Sequence, residues 1–202
     1  MIIVDTETTG VEPHVHSILS IAALDFDNPS NEFYGECRMF EGARWSDEAE
    51  AVHGISQENA EDPHRMSEKE LVTKFIAWAH TVSEQTLAGE NPSFDRDFMR
   101  AACARNHIEW NFAYRTVDLH SIAYAKCLEQ GRPIPTKNNH SGLGLDALLS
   151  RIGLPSNPKP HNALRDVYLE AEAFSRVIYG KKLLPEFEPF GVPLDYTKKV
   201  HG

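Results

Sequence analysis

The amino-acid sequence indicates an α/β domain, and three observations lead there. Three segments with strand character precede any long helical pattern. Beyond the first strong helix, short apolar runs and helical patterns alternate, and a long helix near the end carries a continuous apolar stripe. The strand segments are the β-branched run Ile2-Ile3-Val4, the apolar stretch 18–26, and residues 32–39, which alternate in part.

A short helix follows over 46–52, closed by Gly54 after His53. Ser67 and Glu70 then stand in the S-x-x-E relation of a capping box, and Leu71, Phe75, Ala79 and Val82 recur at helical spacing, so a helix starts at Ser67. The order then becomes strand and helix by turns: a strand at 86–89, a helix from 94 to 106, and a strand at 115–119 running into a helix that ends near Gly131. Residues 131–142, GRPIPTKNNHSG, carry prolines, asparagines and charges that mark a loop. Two helices close the domain, over 143–152 and 162–179, the second stopped by Gly180. In it Ala163, Val167, Ala171, Phe174 and Ile178 trace a core-facing stripe. Residues 1–180 are therefore expected to form one domain, with 181–202 as a C-terminal extension. Pro185, Pro189 and Pro193 among Phe187, Phe190 and Leu194 give that extension the character of an extended strap across the domain. If Leu183, Leu184 and the phenylalanines do not fold back, they offer a surface for a homodimer or a protein partner.

Of the 202 residues, 41% are apolar and 25% charged, which suffices for one sizeable core. The formal net charge of −10 disfavours binding to long duplexes through a broad basic surface, but leaves room for a local site that takes a short anionic strand. No apolar run approaches the ~20 residues of a membrane-spanning helix, and MIIVDTETTG has neither the basic start nor the length of a secretory signal. A cytoplasmic protein with no membrane partner is the expectation. Cys37, Cys103 and Cys127 are far apart and outside CxxC pairs, so they are expected as reduced thiols used as small apolar side chains.

The informative feature is acid inside apolar segments. After Ile2-Ile3-Val4, the strand period of two puts Asp5 and Glu7 on one face. Two like charges so close raise each other's pKa unless a divalent cation compensates, although a solvated strand end would also explain them. Asp95 follows the 86–89 strand at the start of a helix, where it either favours the helix N-terminus or serves a site. Asp97 lies further round that helix and faces elsewhere. In HNALRD, His161 and Asp166 are five apart, so both can reach one site only if His161 precedes the helix and Asp166 lies inside it. Pro158 and Pro160 keep the preceding stretch out of the helix. Oxygen ligands of this kind suit Mg²⁺ or Mn²⁺ rather than zinc, and paired ions of this type support phosphodiester cleavage.

Taken as an ordered set, VDTETTG at residues 4–10, NPSFD at 91–95 and HNALRD at 161–166 resemble the three motifs of the DnaQ-like (DEDD) 3′→5′ exonucleases. The resemblance reaches to about Tyr179. His161, five before Asp166, matches the histidine branch; the tyrosine branch would want Tyr at 162, which is Asn. It implies a ribonuclease-H-like fold: a central mixed five-stranded sheet, a three-stranded antiparallel meander plus parallel strands, flanked by helices. It also implies that Asp5, Glu7, Asp95 and Asp166 hold two Mg²⁺ ions, for which Mn²⁺ substitutes. His161 is then the general base, a task suited to a group that titrates near working pH.

Thr8 resembles the position whose backbone meets the terminal 3′ hydroxyl. His53, in VHGI, resembles a residue lining the terminal-nucleotide pocket; a solvent-facing His at a helix C-terminus is the other reading. Phe94 and Leu19 could wall the bases or belong to the core. Many relatives begin the second motif His-Asn, and Glu90 stands at that His position here. The implied activity is stepwise release of nucleoside 5′-monophosphates from single-stranded DNA or RNA 3′ ends. The alternative is a non-catalytic nucleic-acid- or protein-binding module on the same fold, against which all five chemical positions are filled.

Overall fold

The computed structural model describes residues 1–193. Strands β1 (Ile2–Thr8), β2 (Ile18–Asp25) and β3 (Glu32–Glu36) come first. Helices α1 (Asp47–His53), α2 (Gln57–Glu61) and α3 (Glu68–Ala79) follow. Next come β4 (Leu87–Gly89), α4 (Pro92–Arg105), β5 (Val117–Asp118) and α5 (Leu119–Glu129). A small hairpin, β6 (Thr136–Lys137) and β7 (His140–Ser141), precedes α6 (Leu145–Arg151) and α7 (Ala163–Tyr179).

The main sheet has the order β3-β2-β1-β4-β5. β1 pairs antiparallel with β2 and β2 with β3, whereas β4 lies parallel to β1 and β5 parallel to β4. The expected mixed five-stranded sheet is therefore present. Side-chain alternation along β1 divides the core in two: Ile3 packs with α5, α6 and α7 on one face, and Ile2 and Val4 pack with α3 and α4 on the other. Parallel strands joined by helices on both faces place the carboxyl ends of β1 and β4 at one edge, where a site can form.

Local chemistry accounts for most element ends. Ser67 and Glu70 form both bonds of the capping box at the start of α3, and Gly54 closes α1 in the left-handed region at φ 70°. The Cys37, Cys103 and Cys127 thiols are free and buried, as expected of small apolar side chains. Among the described residues no helix is long and apolar enough to cross a membrane.

Two expectations need correction, and one helix was not expected. The 131–142 segment is not plain loop: its Asn138-Asn139 pair takes φ of 51° and 63°, a turn that closes the β6–β7 hairpin. In α7, Ala163, Val167, Ala171 and Phe174 are buried, but Ile178 is 41% exposed. In that last turn Val177 is the residue that packs inward, while Tyr179 stacks on Phe26 at 6.3 Å. The helix α2, after Ser56, had no counterpart in the sequence reading; Ser56 caps it by accepting from the Asn59 N–H.

The chain after α7 lies along the domain. Leu184 and Phe187 are buried in the α7-side core, Phe190 is 37% exposed, and Leu194 lies outside the described residues. A buried ion pair anchors this stretch. Arg176 donates to Glu172 Oε1 at 2.7 Å and to the carbonyls of Ile152, Phe187, Phe190 and Gly191. Glu172 Oε2 accepts the N–H groups of Leu183 and Leu184 at 2.8 and 2.9 Å. Each charge is thus satisfied by groups that the strap brings with it.

Candidate metal centre and active site

The site is built where β1 ends. Because Ile3 faces α7, Asp5 and Glu7 face it too, and they meet Asp166 in the first turn of that helix. One carboxylate oxygen from each of Asp5, Glu7 and Asp166 lies within 4.8 Å of the other two. Thr6, between the two acids, points to the opposite face, where its hydroxyl donates to Asp95 Oδ1 at 2.7 Å. Asp95 therefore comes from the other helical layer. It lies close enough to raise the pKa of both Asp5 and Glu7, but its carboxylate is held by Thr6 and is not one of the three that converge. Asp97 faces elsewhere as expected, bound to Arg96 and Arg100.

Protons report how crowded these acids are. Asp5 is pushed well above the usual carboxylate range by loss of surrounding water and then by Asp95, Glu170, Glu7 and Asp166. Glu7 is pushed up to about 7 by burial and then by Asp166 and Asp95. Burial also lifts Asp95 to about 7 against the opposing Thr6 hydrogen bond, and it raises Asp166 against the Asn157 hydrogen bond. Glu7 Oε1 is buried with no hydrogen-bond partner among the described residues. An oxygen-only donor set, converging, crowded and partly unsatisfied, fits a hard divalent cation.

His161 stands before the helix, as its spacing from Asp166 requires. Asn162 caps α7 by accepting from the Arg165 N–H, and His161 is one residue outside. Its Nδ1 is 3.4 Å from Asp166 Oδ2, and the ring is partly open to solvent. Asn157 donates to Asp166 Oδ1 at 2.6 Å and lies 3.5 Å from His161 Nδ1, so one amide orients both. The imidazole lines a cavity of about 320 Å³ with Asn157, Asp146 and the Gly142–Gly144 turn.

The remaining candidates are less central. Thr8 is buried at a bulge where the register between β1 and β2 shifts, and its hydroxyl donates to the Gly10 carbonyl. His53 does not face solvent. It is 5% exposed, its Nδ1 accepts the Ile55 N–H at 3.0 Å, and its buried Nε2 has no hydrogen-bond partner among the described residues. Burial lowers its pKa, opposed by the nearby Thr8 backbone. Phe94 is partly buried and packs on Phe98 at 4.7 Å, and Leu19 is fully buried within β2.

Glu170, which the sequence reading missed, is four residues after Asp166, on the same side of α7. It is 2% exposed, its Oε2 is unpartnered among the described residues, and its pKa is raised by burial and then by Asp95. The signal that exposed Asp166, an acid beside an apolar stripe, is present in Leu169-Glu170-Ala171 as well. Room for it comes from Gly89: a Cβ there would stand 2.8 Å from the Val4 carbonyl oxygen and 3.0 Å from Glu170 Oε2. Asn157 and Thr6 gave no such signal, since neither residue type is costly to place in a loop or a strand.

The model of the RNase_T exonuclease family matches residues 2–174. The chain belongs to this exonuclease family. Ribonuclease T of Marinobacter nauticus is 28% identical over 206 residues, covering 93% of this chain and 86% of that protein. DNA polymerase III PolC-type of Thermotoga maritima is 24% identical over 202 residues, 97% of this chain but 13% of the polymerase. Among solved structures, E. coli exonuclease I in complex with a dA16 oligonucleotide is similar at a TM-score of 0.69 and 20% identity, over 93% of this chain and 41% of that one. This exonuclease-family chain therefore spans a small part of the polymerase and about two-fifths of exonuclease I. The likeness to exonuclease I shows the shared ribonuclease-H-like fold.

Proposed function

We propose that this chain is a divalent-metal-dependent 3′→5′ exonuclease that releases nucleoside 5′-monophosphates one at a time from single-stranded or frayed DNA or RNA ends. The meeting of Asp5, Glu7 and Asp166 within 4.8 Å beside His161 carries the reading. Asp5, Glu7, Asp95 and Asp166 would hold two Mg²⁺ ions, with Mn²⁺ as substitute. When bound, such ions lower the pKa of the attacking water and neutralise charge on the phosphate and on the departing oxygen.

The chain's own groups do the rest. His161 takes the proton as the water oxygen bonds to phosphorus and the bond to the neighbouring nucleotide's 3′ oxygen breaks. Asn157 and Asp166 hold the ring in place for this. The Thr8 backbone, His53 and Phe94 are the proposed contacts to the terminal nucleotide, supported by the buried, unpartnered His53 Nε2 beside Thr8.

The dA16 oligonucleotide bound to exonuclease I favours a single strand as substrate, and the ribonuclease name of one relative keeps RNA beside DNA. Matched DNA and RNA oligonucleotides labelled at the 3′ end test the proposal side by side. Labelled 5′-mononucleotide is expected from the first turnover, dependent on Mg²⁺ or Mn²⁺. Saturable binding with no release at any metal concentration would favour the non-catalytic module instead.

A further inference from the structure

We propose that the β6–β7 hairpin grips the phosphate backbone of the substrate strand upstream of the nucleotide being removed. This rests on the exonuclease reading above and assigns that site a second contact region.

Four observations carry it. Although the chain has a net charge of −10, residues 130–145 contain no Asp or Glu, while Arg132, Lys137 and His140 all fall there. The hairpin is exposed throughout, so it contributes little to the core. It is nevertheless held in place: Ser141 Oγ is 2.9 Å from His120 Nε2 on α5 and accepts the Leu143 N–H, and the Gly142 N–H donates to Pro135 O at 2.7 Å. Finally, its foot is part of the site, because Gly142 and Gly144 line the same cavity as His161 and Asn157. Lys137 pairs with His140 across the hairpin, and its backbone nitrogen lies 3.4 Å from where a Cβ on Gly142, in that foot, would be.

An exposed, anchored, acid-free projection at the mouth of an acidic site is complementary to a polyanion. The acids around Asp5 repel a strand unless cations neutralise them, whereas Lys137 attracts its phosphates without reading bases. The Asn138-Asn139 turn adds amide donors at the tip. Lys159, two residues before His161, is a further exposed cation close to it in sequence.

The test compares the parent with Lys137→Glu, Lys137→Arg and, as a control on the exposed face of α3, Lys74→Glu. The substrates are an oligonucleotide of about twelve nucleotides and the p-nitrophenyl ester of thymidine 5′-monophosphate, which has no upstream phosphate. Lys137→Glu is expected to raise KM for the oligonucleotide about fivefold with kcat within about twofold, and to reduce the slope of log affinity against log salt by about 0.7. Lys137→Arg and Lys74→Glu should behave as the parent, and ester hydrolysis should be unchanged in all four. Equal KM and equal salt slope in Lys137→Glu and parent overturn the assignment. Fluorescence anisotropy with the same oligonucleotide separates the two readings. A parent that binds without hydrolysis sinks the exonuclease proposal alone, and a Lys137→Glu protein that binds as tightly as the parent sinks the hairpin alone.

Discussion

The backbone N–H of His161 donates to the carbonyl of Val52 at 2.9 Å. This bond seats the loop that carries the imidazole on the last turn of α1, some hundred residues earlier in the chain. The seat is tight: Gly54, at φ 70°, closes α1, and a Cβ on it would stand 2.9 Å from Pro160 Cβ. His161 is thus positioned from two sides, by α1 through its backbone and by Asn157 and Asp166 around its ring.

Gly54→Ala should therefore displace His161 without touching the carboxylates. Left-handed strain of about 1–2 kcal/mol adds to the contact with Pro160. A small misplacement of a proton acceptor is costly, so kcat is expected to fall about tenfold or more. The rise in melting temperature caused by Mn²⁺ should remain that of the parent. An unchanged kcat would show that the α1 seat does not position the imidazole.

The acids also set how stability responds to pH. In the folded chain without metal, burial pushes Glu7, Asp95 and Glu90 up to about 7, Glu90 being raised further by Asp118. In the unfolded chain they titrate near about 4. Between these values the folded state holds protons that the unfolded state has released, so stability falls as pH rises through about 7. The EDTA-treated protein should melt several degrees higher at pH 5.5 than at pH 8, and Mg²⁺ should raise the melting temperature more at pH 8. A flat or rising profile for the metal-free protein would contradict this.

Truncation after Gly180 removes the partners of a buried ion pair. Arg176 loses three of its carbonyl acceptors and Glu172 loses the Leu183 and Leu184 N–H groups. Stranding buried charge costs about 3–5 kcal/mol, so urea denaturation should show a loss of that order. Arg176→Ala should cost a similar amount in the full chain. If the truncated protein keeps the parent's stability, the strap does not anchor the domain.

Much of this was legible in the sequence because it is local. Capping at Ser67, the glycine stop at Gly54 and the two-residue period along Asp5-Thr6-Glu7 are short-range rules, and they hold in the structure. Asp166 stood out because an acid beside an apolar stripe needs a compensating partner. What escaped was decided by distant segments. Nothing near Asn157 announces that it will orient Asp166, and nothing in α1 announces that Val52 will hold His161. The buried Glu172–Arg176 pair looks in sequence like any surface i, i+4 pair until the strap covers it. Ile178 failed as a core residue because periodicity continues to the end of a helix whether or not another segment packs on that turn.

Release of labelled 5′-mononucleotide from a 3′-labelled oligonucleotide by the parent, Asp5→Ala and His161→Ala in Mg²⁺ tests the central claim most directly. The parent should release it. Asp5→Ala should lose all measurable release, and His161→Ala should slow by about 10²–10⁴-fold while still binding Mn²⁺ in calorimetry. An Asp5→Ala protein that releases mononucleotide as fast as the parent would show that the carboxylates converging at the end of β1 are not where the phosphodiester is cut.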